Sequence, residues 1–516
     1  MKRIQVYCLL LMASFACASE EASDADAYYT CIDVVDQLLS GSGPPLLSAS
    51  GDVLVDTLLM DSLPYPDGVV RHFYYAVPEA YCPDSLNPLL VWLHGGVSTQ
   101  ELRTMDPEDL HEWVLVPRLV DEGYLLAFPC AQLGATWWDA NGEEGVLGIV
   151  RWMKLNFSVD DSRVYVGGFS DGASGSFSLI MLHPTPFAGY LAFSGHPGVA
   201  AIDGGRATYL PSLAGRPGMV THSDEDGLYP AGRMSPSVAL AESAGADIEY
   251  HVLQGYEHDP AYLEILEDRV VIWLSEHTRE RFPSRVTWEA GEPSGCDWLM
   301  VDSIVPWPLI AVDRDYNALM VSDRLQFGFY PDLEYDGAGV MVSGLAEGDL
   351  PAVRLGLMEG DVITGFQGER IADLDDIGEL QSGMSPGDSF TVEIRRGSDH
   401  LDLEDRFNPP EYYWLLPRQG PSVRVEAVYD GNTFDISVNR LCRLRLLLHP
   451  EMVDFGRELR VVCNGLTVFE DTICSNYPFM LENLTRQMDP QRIYTAFLDL
   501  DLERLLPPLM YSLTAN

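Results

Sequence analysis

The sequence predicts an α/β fold, a doubly wound and mostly parallel sheet, followed by a β-rich C-terminal region. Two observations carry this expectation. Short apolar runs bounded by Gly, Pro or Asp recur from Leu89 to Leu253, separated by stretches long enough for crossover helices. Continuous apolar strands alternating with helices form a sheet covered on both faces. After Phe282-Pro283 the pattern changes to short strands and turns with fewer helical stretches.

From the N-terminus, Lys2-Arg3, the apolar run Ile4 to Ala16 and the small residues Ala16-Cys17-Ala18 have the three-part layout of a secretory signal, residues 1–18. The chain is therefore expected to be exported, periplasmic or extracellular. Cleavage before Cys17 would instead leave a lipid-modified cysteine, and a lipoprotein anchor there is the one membrane attachment expected. No later stretch reaches the roughly 18 uninterrupted apolar residues of a spanning helix. Residues 19–60 read as a leader and a mixed N-terminal segment, small or acidic from Ser19 to Asp26.

The α/β domain is placed at 61–283, with strands expected at Leu89 to Leu93, Tyr124 to Phe128, Val164 to Val166, Tyr190 to Phe193, Met219 to Thr221 and Ile248 to Leu253. Beyond it, Val286-Thr287-Trp288-Glu289 and Asp297 to Asp302 look like strands without a nearby partner. Candidates for pairing come much later, at Val423 to Val428, at Thr433 to Val438 and around Asn464-Gly465, a two-residue hairpin signal because both turn positions need positive φ. Residues 284–324 plus 407–516 are thus expected to form one sandwich-like domain, interrupted by a module at 325–406.

With 516 residues the chain has room for about three domains. Its 78 Asp and Glu against 32 Lys and Arg give a formal net charge of −46, while 47% of residues are hydrophobic. That balance describes a globular protein with a very acidic surface. Phosphate backbones attract clustered cations, so nucleic-acid binding is excluded as an expectation, and anionic membranes are disfavoured likewise. Lysine occurs only at Lys2 and Lys154. Acid-rich, lysine-poor composition suits a salty medium, where salt screens the repulsion, and genomic base bias explains it equally well. After the signal, Cys31, Cys82, Cys130, Cys296, Cys442, Cys463 and Cys474 remain, and a disulfide within the last three fits an oxidising compartment. No Cys/His cluster has metal-ligand spacing, so neither metal nor cofactor is expected.

The strongest chemical signal is Gly168-Phe169-Ser170-Asp171-Gly172, directly after the strand Arg163-Val164-Tyr165-Val166-Gly167 and before the helix-forming Ala173 to Leu182. A serine on such a turn has its hydroxyl exposed, and flanking glycines avoid clashes with the sheet. A serine hydroxyl needs an imidazole oriented by a carboxylate. His222-Ser223-Asp224-Glu225-Asp226 and Gly255-Tyr256-Glu257-His258 each follow a later strand, in the chain order serine, acid, histidine. Asp224 and Asp226 both suit the acid. Leu93-His94-Gly95-Gly96-Val97 follows an early strand, where N–H groups of Gly95 and Gly96, with that of Asp171, can stabilise an oxyanion. Trp137 and Trp138 are read as walls of a substrate cleft, with surface packing the equal alternative; His94 is read as bracing the glycine turn.

Together these motifs resemble the α/β-hydrolase superfamily, in particular secreted peptidases and esterases related to prolyl oligopeptidase catalytic domains and polyhydroxybutyrate depolymerase-like esterases. The resemblance covers about residues 60–282, through Pro88 to Gly96, Val159 to Gly172, and His183-Pro184 with Phe187-Ala188. It implies Ser170 as nucleophile, His258 as base and Asp226 as acid, with Pro230 four residues on. Phe327-Gly328-Phe329, Gly360-Asp361-Val362-Ile363 and Pro386-Gly387-Asp388 resemble a PDZ domain. That implies a groove at Phe327, Gly328 and Phe329 for a peptide C-terminus, or a degenerate domain used as a spacer. The expected function is a serine hydrolase acting on a small ester or a peptide. The alternative is a non-catalytic PDZ-containing binding protein with a hydrolase-like scaffold.

Overall fold

The computed structural model describes residues 58–105, 115–308, 315–322, 325–332, 335–418 and 420–506. The signal segment with Cys17, most of the leader, and Cys31 lie outside the described residues. The described residues divide into two compact units, one of those up to 317 and from 416 onward, the other of those within 318–415.

Among the described residues the first unit starts with β1 (Leu59–Pro64) and β2 (Val70–Ala76), an antiparallel hairpin not anticipated from the sequence. Then come β3 (Asn87–Leu93), α1 (Leu115–Asp121), β4 (Leu125–Pro129), α2 (Ala140–Asn156), β5 (Val159–Phe169), α3 (Asp171–Leu182), β6 (Gly189–Phe193), β7 (Gly218–Ser223), α4 (Ala231–Ser243), β8 (Ile248–Leu253) and α5 (Leu263–Glu276). The eight strands lie in the order β1-β2-β4-β3-β5-β6-β7-β8, and every pairing from β4 onward along that order is parallel. Parallel strands bury both faces, which is why β3, β4 and β6 are buried at every position. On one face Leu90, Trp92, Leu126, Phe128, Leu191 and Phe193 pack against Trp273 and Leu274 of α5. Each such side chain, fully buried, contributes about 1.5–3 kcal/mol. Helix α2 is capped by Asp139, whose carboxylate accepts from Asn141 N and Gly142 N at 3.0 Å each.

Three strands follow: β9 (Arg285–Ala290), β10 (Ser294–Cys296) and β11 (Leu299–Pro308). In the second unit a two-stranded ribbon pairs β12 (Leu319–Ser322) with β19 (Glu411–Trp414). Between them lie β13 (Phe329–Pro331), β14 (Val340–Leu345), β15 (Val362–Phe366), β16 (Glu369–Arg370), α6 (Leu374–Ser382), β17 (Ser389–Arg396) and β18 (Asp399–Arg406). These strands order as β13-β14-β15-β17-β18, with β16 on β15, so β13 is an edge strand. Their core is built on Phe327, Phe366, Phe390 and Phe407.

The chain then returns to the first unit with β20 (Val423–Asp430), β21 (Thr433–Val438), β22 (Arg440–Leu448), β23 (Leu459–Cys463), β24 (Leu466–Asp471), α7 (Tyr477–Gln487) and β25 (Ala496–Asp501). β9 pairs with β20 and β11 with β22, across the whole inserted unit. The result is a five-stranded sheet, β24-β23-β21-β20-β9, and a four-stranded sheet, β10-β11-β22-β25. Trp288, Trp298, Val425, Ile436, Leu444 and Leu446 share one core between them. The hairpin β23–β24 turns at Asn464 and Gly465, with φ of 48° and 79°. Cys442 and Cys463 are buried free thiols and Cys474 is an exposed one, so the structure contains no disulfide among these three. Among the described residues no helix is long and apolar enough to cross a membrane, and no group of three or more His, Cys, Asp or Glu is arranged to hold a metal ion.

Candidate active site

The site forms where β3, β5, β7 and β8 end. Parallel strands present their carboxyl ends at one edge of the sheet, and the loops that leave them converge there. Ser170 sits between β5 and α3 with φ 59° and ψ −121°, a conformation that costs a non-glycine residue about 1–3 kcal/mol. Its N–H donates to Phe193 O at 2.9 Å, which fixes the turn to the neighbouring strand. The turn tolerates no side chain on either flank. A Cβ on Gly168 would lie 2.6 Å from Leu93 O, and one on Gly172 would lie 1.8 Å from the same atom.

His258 Nε2 is 2.9 Å from Ser170 Oγ, and its Nδ1 is 2.9 Å from Asp226 Oδ2. Asp226 is 1% exposed. Its other oxygen accepts from Leu228 N at 2.8 Å and Tyr229 N at 2.7 Å. Burial alone would raise the Asp226 pKa; the hydrogen bonds from His258, the Tyr229 and Leu228 N–H groups and Ser194 outweigh it and hold it down at about 2. The carboxylate is therefore charged, and its contact with Nδ1 fixes the tautomer that leaves Nε2 free to accept the serine proton. Asp224, the other acid considered from the sequence, is exposed and accepts from Gly255 N at 2.7 Å, bracing the loop that carries His258.

The glycine loop after β3 lies against the serine. A Cβ on Gly95 would come within 3.1 Å of Ser170 Cβ and 3.6 Å of its Oγ, so a side chain there would fill the space beside the hydroxyl. Gly96 has φ +64°. Asp171, the first residue of α3, has an N–H without an intrahelical acceptor. Its side chain accepts from Val97 N at 3.0 Å and ties the loop to the helix. Arg103 donates to Gly96 O at 2.7 Å and to Gly95 O at 3.3 Å. With these carbonyls drawn outward, the loop can present N–H groups towards an oxygen bound above Ser170.

His94 does brace this loop. Its Nδ1 is 2.7 Å from Gly95 O, its Nε2 accepts from Ala131 N at 2.9 Å, and burial lowers its pKa to about 4, so it stays neutral. Trp137 and Trp138, read from sequence as cleft walls, are 1% and 7% exposed. Trp137 lies behind the loop, donates to His94 O at 2.9 Å and packs against Gly175 of α3. Trp138 packs against Gly204 instead.

Sequence reasoning missed four contributors. Ser194, at φ 53° after β6, contacts the Tyr262 hydroxyl at 3.0 Å and hydrogen-bonds Asp226. Tyr229 lies with its ring centroid 5.8 Å from that of His258. Arg103 is the fourth, and a polar residue directly after a buried strand, as Ser194 is, was the one signal available.

In the second unit, Phe327 is 6% exposed and belongs to the aromatic core, with its ring 5.2 Å from that of Phe390. It therefore does not line a groove with its side chain. Gly328 has φ 92°, where a Cβ would meet Leu350 at 2.5 Å, and Phe329 opens the edge strand β13.

The strand order and the serine turn are those of an α/β-hydrolase fold, joined in one chain to a PDZ domain. Residues 325–404 match the family model of the PDZ domain. Over 132 residues, 25% of the chain, the sequence is 28% identical to a bifunctional acetylxylan esterase/xylanase of Neocallimastix patriciarum; the match spans 18% of that protein's length. Among solved structures it is similar to a thermostable esterase (20% identity, TM-score 0.37, 44% of this chain and 64% of that one). A ferulic acid esterase matches at 15% identity and TM-score 0.36, over 42% of this chain and 98% of the other. An acylaminoacyl peptidase of Pyrococcus horikoshii matches at 12% identity and TM-score 0.35, over 44% and 43%.

Proposed function

We propose that the chain is an exported serine hydrolase that cleaves a carboxylic ester or a peptide bond through an acyl-enzyme on Ser170. The observation that carries this reading is the hydrogen-bonded chain Ser170–His258–Asp226, with 2.9 Å at each step. In the reaction, Ser170 Oγ attacks the carbonyl carbon as its proton passes to His258 Nε2. The imidazolium is stabilised by Asp226, and the developing oxyanion is met by N–H groups of Asp171 and of Gly95 or Gly96. Collapse breaks the bond to the leaving group, which takes the proton from Nε2. Water then repeats the sequence, releasing the acid and restoring the serine.

Ester and peptide substrates share this chemistry. The stretch of likeness to an acetylxylan esterase supports an ester, and the PDZ domain supports a peptide, since the open edge of β13 can accept an extended chain end as an additional strand. The secretory layout of residues 1–18 supports export, with a lipid on Cys17 as the anchored form. The test is hydrolysis of p-nitrophenyl esters and aminoacyl-nitroanilides by the purified protein and by Ser170→Ala, at low and high salt. Turnover of one chromogenic class, lost in the variant, is expected; equal turnover by both proteins would overturn the reading.

A further inference from the structure

A cavity lies far from Ser170, at the junction of the α/β layer and the β-sandwich within the first unit. It has a volume of about 320 Å³ and is bordered by α2, the C-terminal end of α3, the segment after α5, β10 and α7. Ser170 caps the other end of the 12-residue α3, so about 18 Å of helix separates the two sites. Its lining includes five cationic side chains, Arg151, Lys154, Arg279, Arg486 and Arg492, in a chain whose net charge is −46.

The lining carboxylates do not match them. Asp297 is held between Arg216 at 2.6 Å and Arg492 at 2.5 Å, and Asp489 is held by Arg279 at 2.5 Å. Lys154 is paired with Asp161, and Arg151 with Glu144 outside the lining. The buried group thus sets four cations against three carboxylates, and Arg486 adds an exposed cation at the rim. Arg279 is 2% exposed along its side chain, yet its Nε has no hydrogen-bond partner. Arg492 Nε is 3.6 Å from Asp489, beyond a good hydrogen bond. Burial first, and then the neighbouring Arg492, lower the Arg279 pKa. Asp489 Oδ1 is likewise without a hydrogen-bond partner, but the excess positive charge beside the unused guanidinium N–H groups still lacks a negative counterpart. Guanidinium forks bind carboxylate and phosphate oxygens at close range, and a cavity of this size has room for a small organic molecule.

We infer that this junction cavity binds a small, multiply charged oxyanion, held by Arg279 and Arg492 inside and by Arg151 and Arg486 at the mouth. Isothermal titration of the full chain with citrate and, separately, with inorganic phosphate, at ionic strength matched with sodium chloride, tests it. The arms distinguish a carboxylate from a phosphate ligand. Binding of at least one probe with Kd below about 1 mM is expected. The variant Arg151→Ala/Arg486→Ala, which leaves the buried pairs in place, should bind that probe at least about fivefold more weakly, while Arg486→Lys stays closer to the parent. No binding of either probe by the parent protein, or a loss smaller than fivefold in the double variant, would overturn the inference.

Discussion

Asp226 keeps its charge although burial pushes its pKa up, because four hydrogen-bond donors converge on its two oxygens. Asp226→Asn keeps the shape and removes the orienting charge, so kcat should fall by about 10³–10⁴ with little change in KM, measured on whichever chromogenic substrate the parent turns over. A second consequence concerns stability. The folded pKa of about 2 lies below the ordinary value of 3.8, so the stabilisation is fully present above the ordinary value and is lost as pH falls towards 2. Between pH 5 and pH 2.5 the urea midpoint should therefore drop less in Asp226→Asn than in the parent, and equal drops would contradict the assignment of that charge. The groups legible in the sequence are those tied to strand ends by local spacing, namely Ser170, Asp226, His258 and the Gly95-Gly96 loop. Arg103, Tyr229 and Tyr262 reach the site only through tertiary packing, and no local pattern marks them; Ser194 was marked only by its place directly after a buried strand. Burial misled the reading of Trp137 and of Phe327, whose aromatic side chains close cores instead of lining clefts.

At the scale of elements, the sheet was legible wherever strands were buried on both faces, as in β3 to β7. The hairpin β1–β2 was not, because it stands at the sheet edge: β1 has no fully buried position, and its composition resembles the leader before it. Asn464-Gly465 announced its turn because the conformation is local, and the asparagine side chain secures it by bonding both Val438 N and Val438 O at 3.0 Å. Helix α2 shows how one residue sets an element boundary. Asp139 accepts from Asn141 N and Gly142 N, and from Thr136 N at 2.6 Å, which holds the chain leading from Trp137 into the helix. Asp139→Ala should cost about 0.5–2 kcal/mol in chemical denaturation, the range for a lost cap. Because that cap also holds Trp137 against the glycine loop after β3, kcat should fall by a few fold as well; an unchanged denaturation midpoint would contradict the capping role.

At the scale of the molecule, length and pattern suggested three domains, whereas the structure gathers the α/β layer and the β-sandwich into one compact unit. Buried ion pairs that belong to neither layer alone cross between them, Arg216 to Asp297 and Arg279 to Asp489, beside hydrogen bonds such as those of Ser212 with Glu289. Composition could not show this, since partners such as Arg279 and Asp489 are 210 residues apart. Asp297 has φ 52°, which asparagine tolerates, so Asp297→Asn removes the charge without straining the backbone. It leaves Arg216 and Arg492 buried without their carboxylate and should destabilise the first unit by about 3–5 kcal/mol in equilibrium unfolding. A loss below about 1 kcal/mol would mean that the pairs are not what joins the two layers.

The central claim is that Ser170 is a nucleophile activated by His258, and covalent trapping reads it without knowledge of the substrate. The purified protein is treated with a fluorophosphonate, digested, and the modified peptide identified by mass spectrometry, beside Ser170→Ala and His258→Ala. One phosphonyl group on the peptide containing Ser170, absent from Ser170→Ala and strongly slowed in His258→Ala, is the predicted result. An unmodified parent protein, or modification at the same rate without His258, would contradict it.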